Sequence, residues 1–72
     1  MIPRPGEVVF LGPQASVQFG GGRQVVFRVI RVHDWTATTG WVWLNGYELD
    51  ASGNAVERRT VFVQIAGIRH KK

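Results

Sequence analysis

The sequence predicts an all-β domain, a small barrel of about five antiparallel strands with a short 3-10 turn before the last of them. Three observations support that class. Long stretches with apolar residues at the three- and four-residue steps of an amphipathic helix are missing. The β-branched and aromatic residues gather instead into short runs with a two-residue period. Nine glycines and three prolines punctuate the 72 residues, mostly between those runs, where chain reversals need them.

Pro5-Gly6 opens the first run, residues 7–11, and Gly12-Pro13 closes it. Residues 14–19 alternate polar and apolar, with Ala15, Val17 and Phe19 on one side, and read as a second piece of the same meandering element. Gly20-Gly21-Gly22 then lets the backbone turn. Residues 24–33 make the first long strand. On strict alternation Val25, Phe27 and Val29 share one face, Val26, Arg28, Ile30 and Val32 share the other, and Arg31 lies opposite Arg28.

A polar, Thr-rich connection carrying Trp35 follows at residues 34–39. Residues 40–49 form the second long strand, with Trp41, Trp43, Tyr47 and Leu49 on one face against Val42 and Leu44. Asp50-Ala51-Ser52-Gly53-Asn54 reads as a hairpin link with one left-handed position, capped by Asp50. Residues 55–65 return as the third long strand, Val61, Val63 and Ile65 inward and Arg58, Thr60, Phe62 and Gln64 outward. Ala66-Gly67-Ile68 reads as a single helical turn, and residues 69–72 as a last short strand or a basic tail. No repeat or linker divides the chain, so residues 1–72 are expected to be one domain.

This order of elements resembles the SH3-like small-barrel superfamily over residues 7–70. The resemblance implies long strands that bend and serve both sheets, which suits strands with apolar residues on both faces. It is a likeness of architecture, and that architecture hosts nucleic-acid binders, peptide binders and subunits of larger assemblies. A narrower similarity is to the plasmid-borne type II dihydrofolate reductases, on Gly53-Asn54-Ala55-Val56-Glu57 and Val63-Gln64-Ile65. It implies an NADPH-dependent reductase assembled as a tetramer around a shared pore, with Gln64 and Ile65 meeting cofactor and substrate. Ala66 stands where that family's pore segment has tyrosine, and the spacing from hairpin to pore segment differs.

Composition narrows the function. A chain of this length buries only about 60% of the surface it exposes when unfolded. It has no cysteine, so neither disulfides nor thiolate metal sites reinforce the thin core, and a homo-oligomer is one expected remedy. No apolar run is long enough to span a bilayer, and Met1-Ile2-Pro3-Arg4-Pro5 has no signal-peptide pattern. A cytoplasmic location and no membrane partner are the resulting expectations. Nine Lys and Arg against five Asp and Glu give a net charge of +4, which favours nucleic acid or an acidic protein as partner as well as solubility.

Catalytic constellations fail on spacing. The only serines, Ser16 and Ser52, sit in the meander and at the hairpin tip, and His33-Asp34 are strand neighbours that point to opposite faces. Two histidines without cysteine supply no convergent metal set. Gly20-Gly21-Gly22 lacks the Lys-Ser/Thr and the helix of a phosphate loop. No catalytic residue, metal or cofactor is therefore expected from the residues themselves.

Aromatic and cationic residues are more informative. Trp41, Trp43 and Tyr47 share parity and are read first as core filling. Val42, Leu44, Val61, Val63 and Ile65 compete for that interior, so at least one tryptophan, Trp35 foremost, is expected to stay partly exposed. An exposed ring beside cations can stack on a nucleobase or seat a proline-rich segment. The leading expectation is a non-enzymatic nucleic-acid-binding module. Arg28, Arg58, Arg59, Arg69, Lys71 and Lys72 would meet phosphates, and Trp35 or Trp43 would stack. Arg28, Arg58 and the tail would join into one patch if the outer faces of the first and third long strands adjoin. An assembly subunit contacting other proteins is the competing class, and a reductase the third.

Overall fold

The computed structural model describes residues 2–33 and 39–70. Five strands follow in order: β1 (Val8–Leu11), β2 (Val25–His33), β3 (Trp41–Leu49), β4 (Ala55–Gln64) and β5 (Ile68–His70). Among the described residues there are no α-helices, only two 3-10 turns, Val17–Phe19 and Ile65–Gly67, the second directly before β5. All pairings are antiparallel, in the spatial order β4-β3-β2-β1-β5. The expected class, strand number and turn before the last strand are all present. Among the described residues no helix is long and apolar enough to cross a membrane.

The core is built from inward positions of every strand. Val9 and Leu11 of β1, Phe27 and Val29 of β2, Val42 and Leu44 of β3, Val61 and Val63 of β4 and Ile68 of β5 form one buried cluster with Ala15 and Phe19. Val25, Val32 and Ile65 pack against it. Backbone bonds beyond the ladders tie the ends together: Gln64 N–H donates to the Ala15 carbonyl at 2.7 Å, and Ile65 N–H to the Gly40 carbonyl at 2.8 Å. The end of β4 is thus anchored both to the β1–β2 connection and to the start of β3.

Three expectations about faces change. Val17 does not share a side with Ala15 and Phe19: it is 93% exposed while they are buried. Ser16 caps a 3-10 turn there, accepting from Gln18 N–H, and a three-residue period replaces the two-residue one. Next, β2 does not alternate throughout. Its pairing with β3 runs Val29↔Gly46 and then Arg31↔Asn45, leaving Ile30 as an extra residue. That bulge turns Val32 to the core and places Arg31 opposite Asn45, on the same outer face as Arg28. Finally β2 and β4 do not adjoin, because β3 lies between them.

Gly46 makes the bulge possible. A Cβ there would overlap the Arg28 carbonyl oxygen and lie 2.7 Å from the Phe27 ring. Neither is a yielding side-chain tip, since one is backbone and the other is a core ring. The hairpin after β3 follows its expected chemistry. Gly53 takes the left-handed φ of 85°, and Asp50 Oδ1 accepts from both Ser52 N–H and Asn54 N–H at 2.9 Å.

Two stability predictions follow from these contacts. Gly46→Ala should cost about 1–3 kcal/mol, the range for overpacking a filled site, read as a lower denaturation midpoint with an unchanged slope. Asp50→Ala should cost about 1 kcal/mol through loss of its turn hydrogen bonds. An unaltered midpoint in Gly46→Ala would show that β2 does not bend against β3 as described.

Candidate functional site

The outer face of β2–β3–β4 is assembled by the residues that alternate with the core. On β3 these are Trp41, Trp43, Asn45 and Tyr47, between the inward Val42, Leu44 and Gly46. The reading of this aromatic row as core filling is overturned. Phe19 and Phe27 occupy the interior with the aliphatic residues, and neither indole is part of the buried cluster. Trp41 and Trp43 are half-buried on the outside, held against Phe62 of β4, which pairs directly with Trp43. Ring centroids lie 4.9 Å apart for Trp41–Phe62, near parallel at 20°, and 4.7 Å apart for Trp43–Phe62, tilted by 33°. Such ring pairs contribute about 0.5–1.5 kcal/mol beyond burial, so the cluster is a defined platform.

Toward the hairpin end the same face becomes cationic. Arg28, Tyr47 and Arg58 form one cross-strand row, β2 to β3 to β4. Arg31, Asn45 and Thr60 form the next row toward the rings. The Arg58 guanidinium lies 5.9 Å from the Tyr47 ring centre, within cation–π range. Its Nε and Nη2 both donate to Asn45 Oδ1, at 3.3 and 2.9 Å. Asn45 Nδ2 in turn donates to Thr60 Oγ1 at 2.9 Å. An amide acceptor fixes the guanidinium without neutralising it.

The described carboxylates are sorted away from this face. Glu48 Oε1 accepts from Arg59 Nη1 at 3.0 Å, and Glu57 lies 3.7 Å from Arg59 Nε. Asp50 is committed to the hairpin. Glu7 accepts from Arg4 N–H and lies 3.7 Å from His70. Among the described residues, none of the carboxylates is paired with Arg28, Arg31 or Arg58.

Sequence-predicted site residues divide accordingly. Arg28, Arg58 and Trp43 share the outer face. Arg69 lies beyond them on β5, opposite Phe10 of β1. Arg59 faces inward instead, over the Phe19 ring at 5.6 Å, lining a hollow with Gln18, Arg23, Gln24 and Glu48. With both acids engaged, it is a structural guanidinium. Trp35, Lys71 and Lys72 lie outside the described residues. Gln64 is exposed beside Trp41 at the end of β4, whereas Ile65 packs on the core.

Sequence reasoning missed Arg31, Asn45 and the ring partnership of Phe62. Asn45 carried a signal, because a polar residue sharing parity with Trp43 and Tyr47 marks their face as the wet one. Comparisons with family models, with curated proteins and with solved structures find no match to this chain.

The two aromatic environments predict opposite mutational costs. Phe27→Ala, at a fully buried site, should cost about 3–5 kcal/mol and leave little folded protein. Phe62→Ala should cost about 1–2 kcal/mol and keep the domain folded. Urea unfolding of the two variants checks this, and the reverse order would put the ring cluster inside the fold.

Proposed function

We propose that this chain is a non-enzymatic nucleic-acid-binding module whose contact surface is the outer face of β2–β3–β4. The observation that carries the reading is a half-buried Trp41–Phe62–Trp43 cluster adjoining Arg28, Arg31 and Arg58 with no carboxylate paired to them among the described residues. Phosphates would neutralise the guanidiniums and release counterions. Bases would cover the rings. Arg69 extends the cationic surface across β1, and Lys71, Lys72 and Trp35 are further contributors in this reading. The finer fold reading is an SH3-like small barrel, supported by the strand order β4-β3-β2-β1-β5 and the 3-10 turn before β5.

The competing reading is an assembly subunit that covers the same rings with a second copy or another protein. What favours nucleic acid is the charge: two such faces would bring like-charged arginines together. Solution mass separates the two. A dimer or tetramer of fixed mass, indifferent to added nucleic acid, would favour the assembly reading.

The binding test is affinity against salt. Log Kobs should fall linearly with log salt concentration, and Arg28→Ala or Arg58→Ala should each reduce the slope by about 0.7–0.9. Arg59→Ala should leave the slope unaltered. No mobility shift and no change in tryptophan fluorescence with random-sequence DNA or RNA at low salt would overturn the proposal.

A further inference from the structure

We infer that the nucleic acid this face takes is single-stranded, with bases stacked at the Trp41–Phe62–Trp43 end and phosphates led along Arg31, Arg58 and Arg28. The inference rests on the reading of the face as a nucleic-acid site and goes beyond it in naming the form of the ligand.

The surface has a direction. Trp43 and Tyr47 are four residues apart on β3, about 13 Å at the rise of an extended strand, so the stacking end and the cationic end are separate. Unpaired bases offer free ring faces at one end while their connected phosphates run to the other. A duplex offers phosphates but no free ring faces, because each base face is covered by its neighbours. Reading a duplex takes a helix or a two-stranded ribbon narrow enough to enter the major groove. Among the described residues there is no α-helix, and the rings stand on β3 and on the edge strand β4. A duplex laid on that face would press its phosphates against indole rings and strip their water with no compensating bond.

Asn45 completes the arrangement as a positioning residue. By holding Nε and Nη2 of Arg58 on one amide oxygen, it keeps the guanidinium over Tyr47 and leaves Nη1 for a phosphate oxygen. A carboxylate at that position would take the guanidinium as an ion-pair partner and withdraw its charge from the ligand.

The test uses the full chain at one salt concentration and one mixed-sequence DNA oligonucleotide, free or annealed to its complement, with the RNA of the same sequence as a third probe. Tryptophan quenching and fluorescence anisotropy report binding. Both single strands should bind at least about fivefold more tightly than the duplex, the equivalent of one stacked base, and should quench tryptophan. Asn45→Asp should keep its thermal midpoint near that of the parent and lower the salt slope by about 0.7, as one phosphate contact is lost. Equal affinity for single strand and duplex would overturn the single-strand inference while leaving nucleic-acid binding in place. Binding of neither probe would overturn both. An unchanged slope in Asn45→Asp would overturn the role given to Asn45.

Discussion

The bend of β2 over Gly46 governs both the interior and the exterior of this domain. One extra residue at Ile30 lets two inward side chains, Val29 and Val32, stand three positions apart. The same extra residue lets Arg28 and Arg31 stand three apart on the outside. A strand of strict alternation would place the two members of each pair on opposite faces. The bend closes only because the facing residue on β3 has no side chain to collide with the Arg28 carbonyl and the Phe27 ring. Core and candidate surface are therefore two consequences of one backbone irregularity.

A thin interior explains why the large rings are outside. In a chain this short the core volume is soon filled, and here Phe19, Phe27, Leu11, Leu44 and the valines fill it. Trp41, Trp43 and Phe62 consequently pack on one another against the sheet exterior, where each buries part of its surface without entering the core. The arrangement adds stability that the interior lacks room to supply, and it leaves indole surface in contact with water. Partial burial of aromatic side chains is thus a structural necessity of the small domain before it is a functional asset. The charges give it direction: three of the described carboxylates are engaged by Arg59 or by the hairpin, and among the described residues none is paired with the outer arginines.

Strand positions and the hairpin were legible in the sequence because short-range chemistry determines them. Val, Ile and aromatic runs mark the strands, and Asp50 with Gly53 and Asn54 specifies the reversal through bonds spanning four residues or fewer. The side to which residues point was legible only where alternation is unbroken, as on β4 from Thr60 to Gln64. It failed at Val17, where a capped 3-10 turn changes the period, and at Arg31, where the bulge shifts it. A bulge is fixed by contacts between strands far apart in sequence, and no local pattern in residues 24–33 announces it. Of the candidate site, Arg28, Arg58 and Trp43 were found by residue type, whereas Arg31 required the register.

Asn45 shows how closely the two levels are joined. It sits one residue from Gly46, opposite the first residue after the bulge, and bonds to both Arg58 and Thr60 of the neighbouring strand. A side-chain bridge between β3 and β4 at this point would hold the edge strand in register even in a protein with no ligand. Stability alone, however, would be served about as well by an acidic residue in place of Asn45, which would pair with Arg58. A neutral acceptor gives up the ion pair's attraction and leaves a full positive charge, oriented and exposed, beside two more. That choice is intelligible if the charge is meant for something that arrives from outside, and a polyanion with flat, unpaired bases matches both the guanidiniums and the rings that adjoin them.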